Sequence, residues 1–292
     1  LIFILTFVIN ITMTNFILID GSYFVFFRFY ACVSWWKLAH GSETMGVLHN
    51  NEEFIEKFRQ LFVSKLQEIP KKLKQRDAKV IAFKDCPRQY IWRYQNFIEY
   101  KANRYVECSE GEDECEEAAI DPGPFFKLVY KEKLFEQAGI DLIKGSNLEA
   151  DDCIAITTKY LSLLNKNNNI AIISSDHDYI QLLEPNVKLF NLKYKQIGAD
   201  VKDPKLELFI KCISGDKSDN IPPVFPRCGR KKAITMYHNR NIFNEMCEKN
   251  INSRENYISN KRLIDFNKIP KELIIEFYKN VLRPYIVKNS FY

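Results

Sequence analysis

Short apolar runs that stop on an acid recur along this chain. Phe16–Ile19 (FILI) runs into Asp20-Gly21, Lys79–Phe83 (KVIAF) ends just ahead of Asp85, and Ile170–Ile173 stops at Ser174-Ser175-Asp176. Runs of this length bounded by turn residues predict buried strands. Between them the period changes. Tyr23–Tyr30 is aromatic throughout and predicts a buried helix, and Asn51–Leu66 puts Phe54, Phe58, Leu61 and Phe62 on one helical face. Ile91–Arg104, polar, aromatic and basic, also predicts a helix. Phe125–Ala138 reads as an amphipathic helix after the breaker Asp121-Pro122-Gly123-Pro124, and Ile140–Ile143 as a short strand. Leu148–Leu164 predicts a helix opening on Glu149-Ala150-Asp151-Asp152. Leu206–Ile213 predicts another, followed by Gly215-Asp216 and a proline-rich turn. Strands separated by helices predict an α/β fold with a mainly parallel central sheet flanked by helices. The expected division is an α/β domain over 13–200 and a helical, basic region over 201–292.

Residues 1–9 (LIFILTFVI) are almost wholly apolar, but nine residues are too few to span a bilayer, and no positive segment precedes them. Met13 opens MTNFILIDGS, so residues 1–12 are expected to be an upstream extension outside the fold. The 292 residues have 46% hydrophobic and 27% charged content, which excludes disorder as the default and allows a sizeable core. Eight cysteines at scattered spacings form no CxxC pair, which argues against a zinc site or redox dithiol and for free thiols in an intracellular, reducing setting. The net charge of +5 is unevenly spread. From Pro226 to Tyr292 there are 14 bases and 6 acids, while the rest of the chain is slightly acidic. A basic end beside an acidic body suggests a polyanionic partner and a cation-binding centre.

The acids sharpen that picture. Asp20, Asp85 and Asp176 each follow a strand, and ligands of open parallel sheets bind at the carboxyl ends of strands. Glu149, Asp151 and Asp152 join them from the first turn of a helix. Asp178 lies two residues past Asp176, and Asp216 and Asp219 come later. Clustered carboxylates repel one another and stay ionised cheaply when cations neutralise them. Oxygen ligands favour Mg²⁺ or Mn²⁺ over zinc, and two such ions can clamp the attacking and leaving oxygens of a phosphodiester.

ILIDGS, FKDCPRQYIWRYQNFIEYKANR, LEADD, SSDHDYIQLL and GDKSDNIPPVFPRCGRKKA occur in the order found in the 5′ nuclease family. That family includes flap endonucleases and the 5′→3′ exonuclease domain of bacterial polymerase I. The chain resembles its bacteriophage or viral, ribonuclease H-type branch most, over about residues 15–236. The resemblance implies a PIN-like fold with a helical arch at about 93–140 and a C-terminal helix–three-turn–helix. It assigns Asp20, Asp85, Glu149, Asp151 and Asp152 to a first metal group, and Asp176, Asp178, Asp216 and Asp219 to a second.

Tyr100, Lys101 and Arg104 match the family's YKxxR segment. Lys101 and Arg104, on one helix face, are expected to bind the scissile phosphate, with help from Arg93, and Tyr100 to stack an unpaired base. The arch carries an acidic run, Glu107–Glu117. Gly215–Ala233 matches the duplex-binding element, where the family holds one strand with backbone N–H groups and a K⁺ ion. Here the usual glycine positions read Arg227-Cys228-Gly229, and Pro223 stands where glycine is common. Arg227, Arg230, Lys231 and Lys232 are expected to grip phosphates.

The expected activity is Mg²⁺-dependent hydrolysis near the 5′ ends of DNA or RNA–DNA duplexes, removing RNA primers or 5′ flaps in replication and repair. The enzyme is expected to be a monomer with no membrane, with single-stranded-DNA-binding or replication proteins as further partners. The alternative is a catalytically inactive DNA-structure-binding protein.

Overall fold

The computed structural model describes residues 13–41, 48–102 and 120–289. Six strands form one sheet in the order β3-β2-β1-β4-β5-β6. They are β1 (Asn15–Asp20), β2 (Lys79–Phe83), β3 (Asp141–Ile143), β4 (Asn169–Ile173), β5 (Val187–Phe190) and β6 (Gln196–Ile197). The first five are parallel, and β6 runs antiparallel at one edge. The register pairs Asp20 with Phe83 across β1 and β2, and Ile19 with Ile173 across β1 and β4. The strand-ending acids therefore come out side by side at one edge of the sheet.

Alternation along each strand sends successive side chains to opposite faces. Phe16 and Leu18 of β1 enter one core with Ile81, Phe83, Ile170 and Ile172. Ile17 and Ile19 enter the other with Ala82, Ala171 and Ile173. The second face is covered by α1 (Gly21–His40), α2 (Glu52–Lys72), α4 (Gly123–Lys131) and α5 (Leu134–Gln137), whose Phe24, Phe54, Phe58, Phe62, Phe125 and Phe135 form an aromatic core. α1 begins against the end of β2. A Cβ on Gly21 would stand 2.5 Å from the Phe83 carbonyl oxygen, so this close approach requires glycine.

The first face is covered by α6 (Ala150–Leu164) together with the end of the chain. Phe277 closes α11 (Lys271–Phe277), Leu282 follows it, and Ile286 lies in α12 (Arg283–Lys288). All three are buried with the sheet. One apolar core thus runs across residue 200. Long-range apolar burial joins the end of the chain to the α/β layer, which local charge composition does not reveal. α7 (Pro204–Ser214), α8 (Arg230–His238) and α9 (Arg240–Lys249) build a satellite cluster around Phe209, Phe225 and Phe243. α10 (Ser253–Ile264) adds Leu263 and Ile264 to a further small cluster with Tyr100 and Cys212.

Two expected helices are interrupted. Of Ile91–Arg104, only α3 (Trp92–Asn96) is α-helical among the described residues. The Asn96 amide donates back to the Trp92 carbonyl at 2.7 Å, Phe97 is extended, and Lys101 has φ 54°. Lys101 therefore stands in a left-handed turn, not on a regular helix face. Phe125–Ala138 breaks at Lys133, φ 56°, into α4 and α5. Residues 1–12, Arg104 and the acidic run 107–117 lie outside the described residues. Six cysteines, Cys32, Cys86, Cys153, Cys212, Cys228 and Cys247, are free thiols, as expected. Among the described residues no helix is long and apolar enough to cross a membrane.

Packing of the chain's end against the sheet gives a direct expectation. Leu282 is fully buried, so Leu282→Ala should lower unfolding free energy by about 2–5 kcal/mol in urea titrations. A loss below about 0.5 kcal/mol, typical of a surface position, would show that the end of the chain is not part of the main core.

Candidate active site

The C-terminal edge of the sheet opens into a cavity of 970 Å³. Asp20, Asp85, Glu149, Asp151, Asp176 and Asp216 line it, with Lys101 and Lys211. Each acid is aimed by a local bond. Asp20 caps α1, its Oδ1 accepting from the Tyr23 N–H at 3.0 Å. Its Oδ2 accepts from Tyr179 Oη at 3.2 Å and Ser174 Oγ at 3.3 Å. Asp85 accepts from Ser22 Oγ at 2.5 Å and from the Ala150 N–H, at the start of α6, at 2.7 Å. Asp176 accepts from the Asp178 N–H at 2.8 Å. Three strand ends and two helix starts thus fix the rim.

Beneath the rim is a buried ion-pair network. Arg93 is 1% exposed. Its guanidinium donates to both oxygens of Asp152, at 2.9 and 2.7 Å, to Glu149 Oε2 at 2.8 Å, and through Nε to the Leu263 carbonyl at 2.7 Å. Trp92 Nε1 adds a bond to Asp152 at 2.8 Å. Burial alone would lower the pKa of Arg93. Asp152 and the neighbouring acids outweigh it and hold the guanidinium firmly charged.

This arrangement corrects three expectations. Arg93 is sealed inside the protein and offers no surface to nucleic acid. Tyr100 is 3% exposed, with its hydroxyl donating toward Glu149 at 3.1 Å and Asp219 at 3.3 Å, so its ring is not open for base stacking. Asp152, expected as a ligand of the first metal, is fully buried, gives its oxygens to Arg93 and Trp92, and instead anchors the network below the cavity.

Two cations stand at the rim. Lys101 Nζ pairs with Glu149 Oε1 at 2.6 Å, and its backbone N–H donates to the Asp219 carbonyl at 3.0 Å. Burial opposes charge on Lys101, and Glu149 outweighs it, so the ammonium is strongly favoured. Burial likewise opposes charge on Glu149, and Lys101 and Arg93 draw its pKa down to about 2. Lys211, on α7, pairs with Asp178 and, at 2.8 Å, with Asp216. Asp216 is also held at about 2, where Lys211 and Ser218 outweigh burial. Sequence reading missed Lys211. Its partner Asp178 lies on another segment, and the helix pattern carries no sign of the contact.

Charge on the remaining acids is less well compensated. Burial, then Asp85, raises Asp20 to about 7. Burial, then Asp176, raises Asp178 to about 7 despite Lys211. Burial pushes Asp151 up as well. Two trios bring carboxylate oxygens within 4.8 Å of one another: Glu149, Asp151 and Asp152, and Asp178, Asp216 and Asp219. An all-oxygen donor set of this kind fits a hard divalent cation.

The duplex-binding candidates lie on the turn from α7 to α8, which holds Arg227, and on the first turn of α8, which holds Arg230, Lys231 and Lys232. Gly215 has φ 69°, and a Cβ there would stand 2.3 Å from the Ile221 carbonyl oxygen, so the turn requires glycine. Arg227, Lys231 and Lys232 are exposed. Arg230 is exposed too, but its guanidinium is engaged by both oxygens of Glu207 on α7.

The model of the 5′-3′ exonuclease N-terminal, resolvase-like domain matches residues 15–206. The chain belongs to this 5′-3′ exonuclease family. It is 29% identical over 161 residues to a 5′-3′ exonuclease of Buchnera aphidicola subsp. Schizaphis graminum, covering 51% of this chain and 50% of that protein. It is 27% identical over 267 residues to DNA polymerase I of Lactococcus lactis subsp. lactis, covering 85% of this chain and 27% of the polymerase. The chain thus spans half of the first relative and about a quarter of the second. Its fold is similar to that of the bacteriophage T5 D15 flap endonuclease in a complex with DNA and metal ions. The TM-score is 0.63 at 21% identity, covering 92% of this chain and 98% of that one.

Two outcomes follow from the electrostatics. Arg93→Ala leaves Asp152 buried without its cation and Glu149 with Lys101 alone, and should cost about 3–5 kcal/mol of stability in denaturant titrations. A loss near zero would show that the network is not structural. Asp20 and Asp178 hold a proton to about 7, against 3.8 for a free aspartate. The folded chain without divalent ions therefore binds more protons than the unfolded one between these values. Its melting temperature should fall as pH rises from about 4 to about 7, and added Mg²⁺ should restore it most above pH 7. A melting temperature that rises across this range, or is indifferent to Mg²⁺, would contradict the assignment.

Proposed function

We propose that this chain is a divalent-metal-dependent 5′ nuclease that hydrolyses phosphodiesters near the 5′ ends of DNA or RNA–DNA duplexes, including 5′ flaps. The observation that carries this reading is the convergence of acids from β1, β2, α6, the β4 end and the α7–α8 turn on one cavity, with a lysine facing them. Family membership and the metal- and DNA-bound state of the T5 endonuclease support it.

In this reading Asp20, Asp85, Glu149 and Asp151 hold one Mg²⁺, and Asp176, Asp178, Asp216 and Asp219 a second, with Mn²⁺ able to substitute. The ions would supply an activated water and stabilise the departing 3′-oxygen. Lys101 turns its ammonium from Glu149 toward the scissile phosphate and offsets its developing charge. Lys231, Lys232 and Arg227 hold duplex phosphates away from the cut, which fixes which bond reaches the acids. The α7–α8 turn is the place for the K⁺ that the family likeness implies.

A time course on an end-labelled flap, with either an RNA or a DNA 5′ segment, tests the activity. Mg²⁺ should yield a 3′-hydroxyl on the released segment and a 5′-phosphate on the duplex. Asp20→Ala should abolish cleavage while leaving duplex binding measurable, and near wild-type cleavage by that variant would overturn the metal assignment.

Roles divide between chemistry and grip. Lys101→Ala should lower the single-turnover rate at saturating protein by about 10²–10³. The Lys231→Ala, Lys232→Ala double variant should instead weaken affinity, and the magnitude of the log–log salt slope should fall by about 0.9 per lost phosphate contact. A Lys101 variant that loses affinity alone, or a double variant that loses rate alone, would overturn the division.

A further inference from the structure

A second cavity, of 310 Å³, opens on the far side of Asp85. It shares Ser22, Asp85 and Phe126 with the large cavity, so the two adjoin at the Ser22–Asp85 hydrogen bond. Its other polar lining is basic or hydroxylic: Lys84, Lys144 and Tyr130.

The sheet puts the two lysines side by side. Phe83 of β2 pairs with Ile143 of β3, and the Lys84 N–H donates to the Ile143 carbonyl at 2.8 Å. Lys84 and Lys144 are the next residues on these neighbouring parallel strands. Like charges in adjacent positions repel, and neither lysine has a carboxylate within ion-pair distance among the described residues. Lys84 is half-buried, its Nζ 3.5 Å from the centroid of the Tyr130 ring, which fixes the ammonium at the cavity wall. The Tyr130 hydroxyl is buried beside Ser22. Asp85 also lines this space and repels an anion with one charge, against the two lysines that face it.

Two ammonium groups and a buried hydroxyl, facing one space whose single lining acid is Asp85, fit a doubly charged tetrahedral oxyanion. A terminal phosphomonoester carries about −1.5 to −2 charges near neutral pH and presents three acceptor oxygens, whereas an internal phosphodiester carries one charge. We propose that Lys84, Lys144 and Tyr130 form a subsite for the 5′-terminal phosphate of the strand being cut. The scissile bond would lie over the acids, and the short 5′ segment would continue past Asp85. This inference rests on the nuclease reading and adds a preference for phosphorylated 5′ ends.

The test uses the full chain and two nicked duplexes that differ in carrying a 5′-phosphate or a 5′-hydroxyl at the nick, plus a long 5′ flap. Wild type with Mg²⁺ should favour the phosphorylated end in kcat/KM by about tenfold, the scale of one charge-assisted contact. The Lys84→Gln, Lys144→Gln double variant should remove that preference and leave long-flap cleavage within about twofold of wild type. The exposed single variant Lys144→Glu, which leaves the Lys84–Tyr130 contact in place, should reduce the preference too. Cleavage by wild type without discrimination between the two ends, or variants that keep the preference, would overturn the subsite. So would variants that lose flap and end cleavage equally. Failure of wild type to cleave any of the three substrates would instead overturn the nuclease reading on which the subsite rests.

Discussion

A guanidinium sealed under a rim of carboxylates is the constraint on which this structure depends. Parallel strands deliver Asp20, Asp85 and Asp176 to one edge, and α6 brings Glu149, Asp151 and Asp152 to meet them. Such crowding is unfavourable unless positive charge lies close by. Arg93 supplies it from below, bidentate to Asp152 and bonded to Glu149. The same side chain donates to the Leu263 carbonyl, so it also ties α10 to the site. Removing the charge would leave buried acids uncompensated, at far greater cost than losing a surface pair.

The other cations differ from Arg93 in position. Lys101 and Lys211 sit at the rim, partly exposed, each paired to acids assigned to metal. In the proposed mechanism divalent ions take over neutralisation of those acids, and the lysines become available to phosphate. Arg93 keeps the framework in place in both states. The apolar layers serve the same end. Period-two burial on both sheet faces fixes the register that aligns the acids, and the C-terminal helices complete one of those faces.

Much of this was legible in the sequence where the signal is local. β1, β2 and β4 read as short apolar runs, and the acids after them are where the strands end. α6 and α7 read from their periodicity and bounding turns. What escaped depends on distant partners. Arg93 looked like a nucleic-acid contact because it lies in a basic, aromatic stretch, yet its partners are 56 and 59 residues away. Tyr100 looked like a stacking platform for the same reason. Lys211 carries no local signal, and its role comes only from the packing of α7 beside Asp178. β5 and β6 are short and lack a contiguous apolar run, and they are set by pairing with β4 and with each other rather than by local pattern.

The central claim is that the carboxylate cavity is built around divalent cations. Calorimetric titration of the metal-free chain with Mg²⁺ and Mn²⁺, at a pH above 7, tests it most directly. The account predicts two bound ions per chain, one lost in Asp20→Asn and the other in Asp178→Asn, with Arg227→Ala unchanged. Binding that is absent at millimolar Mg²⁺, or that is untouched by both aspartate substitutions, would contradict it.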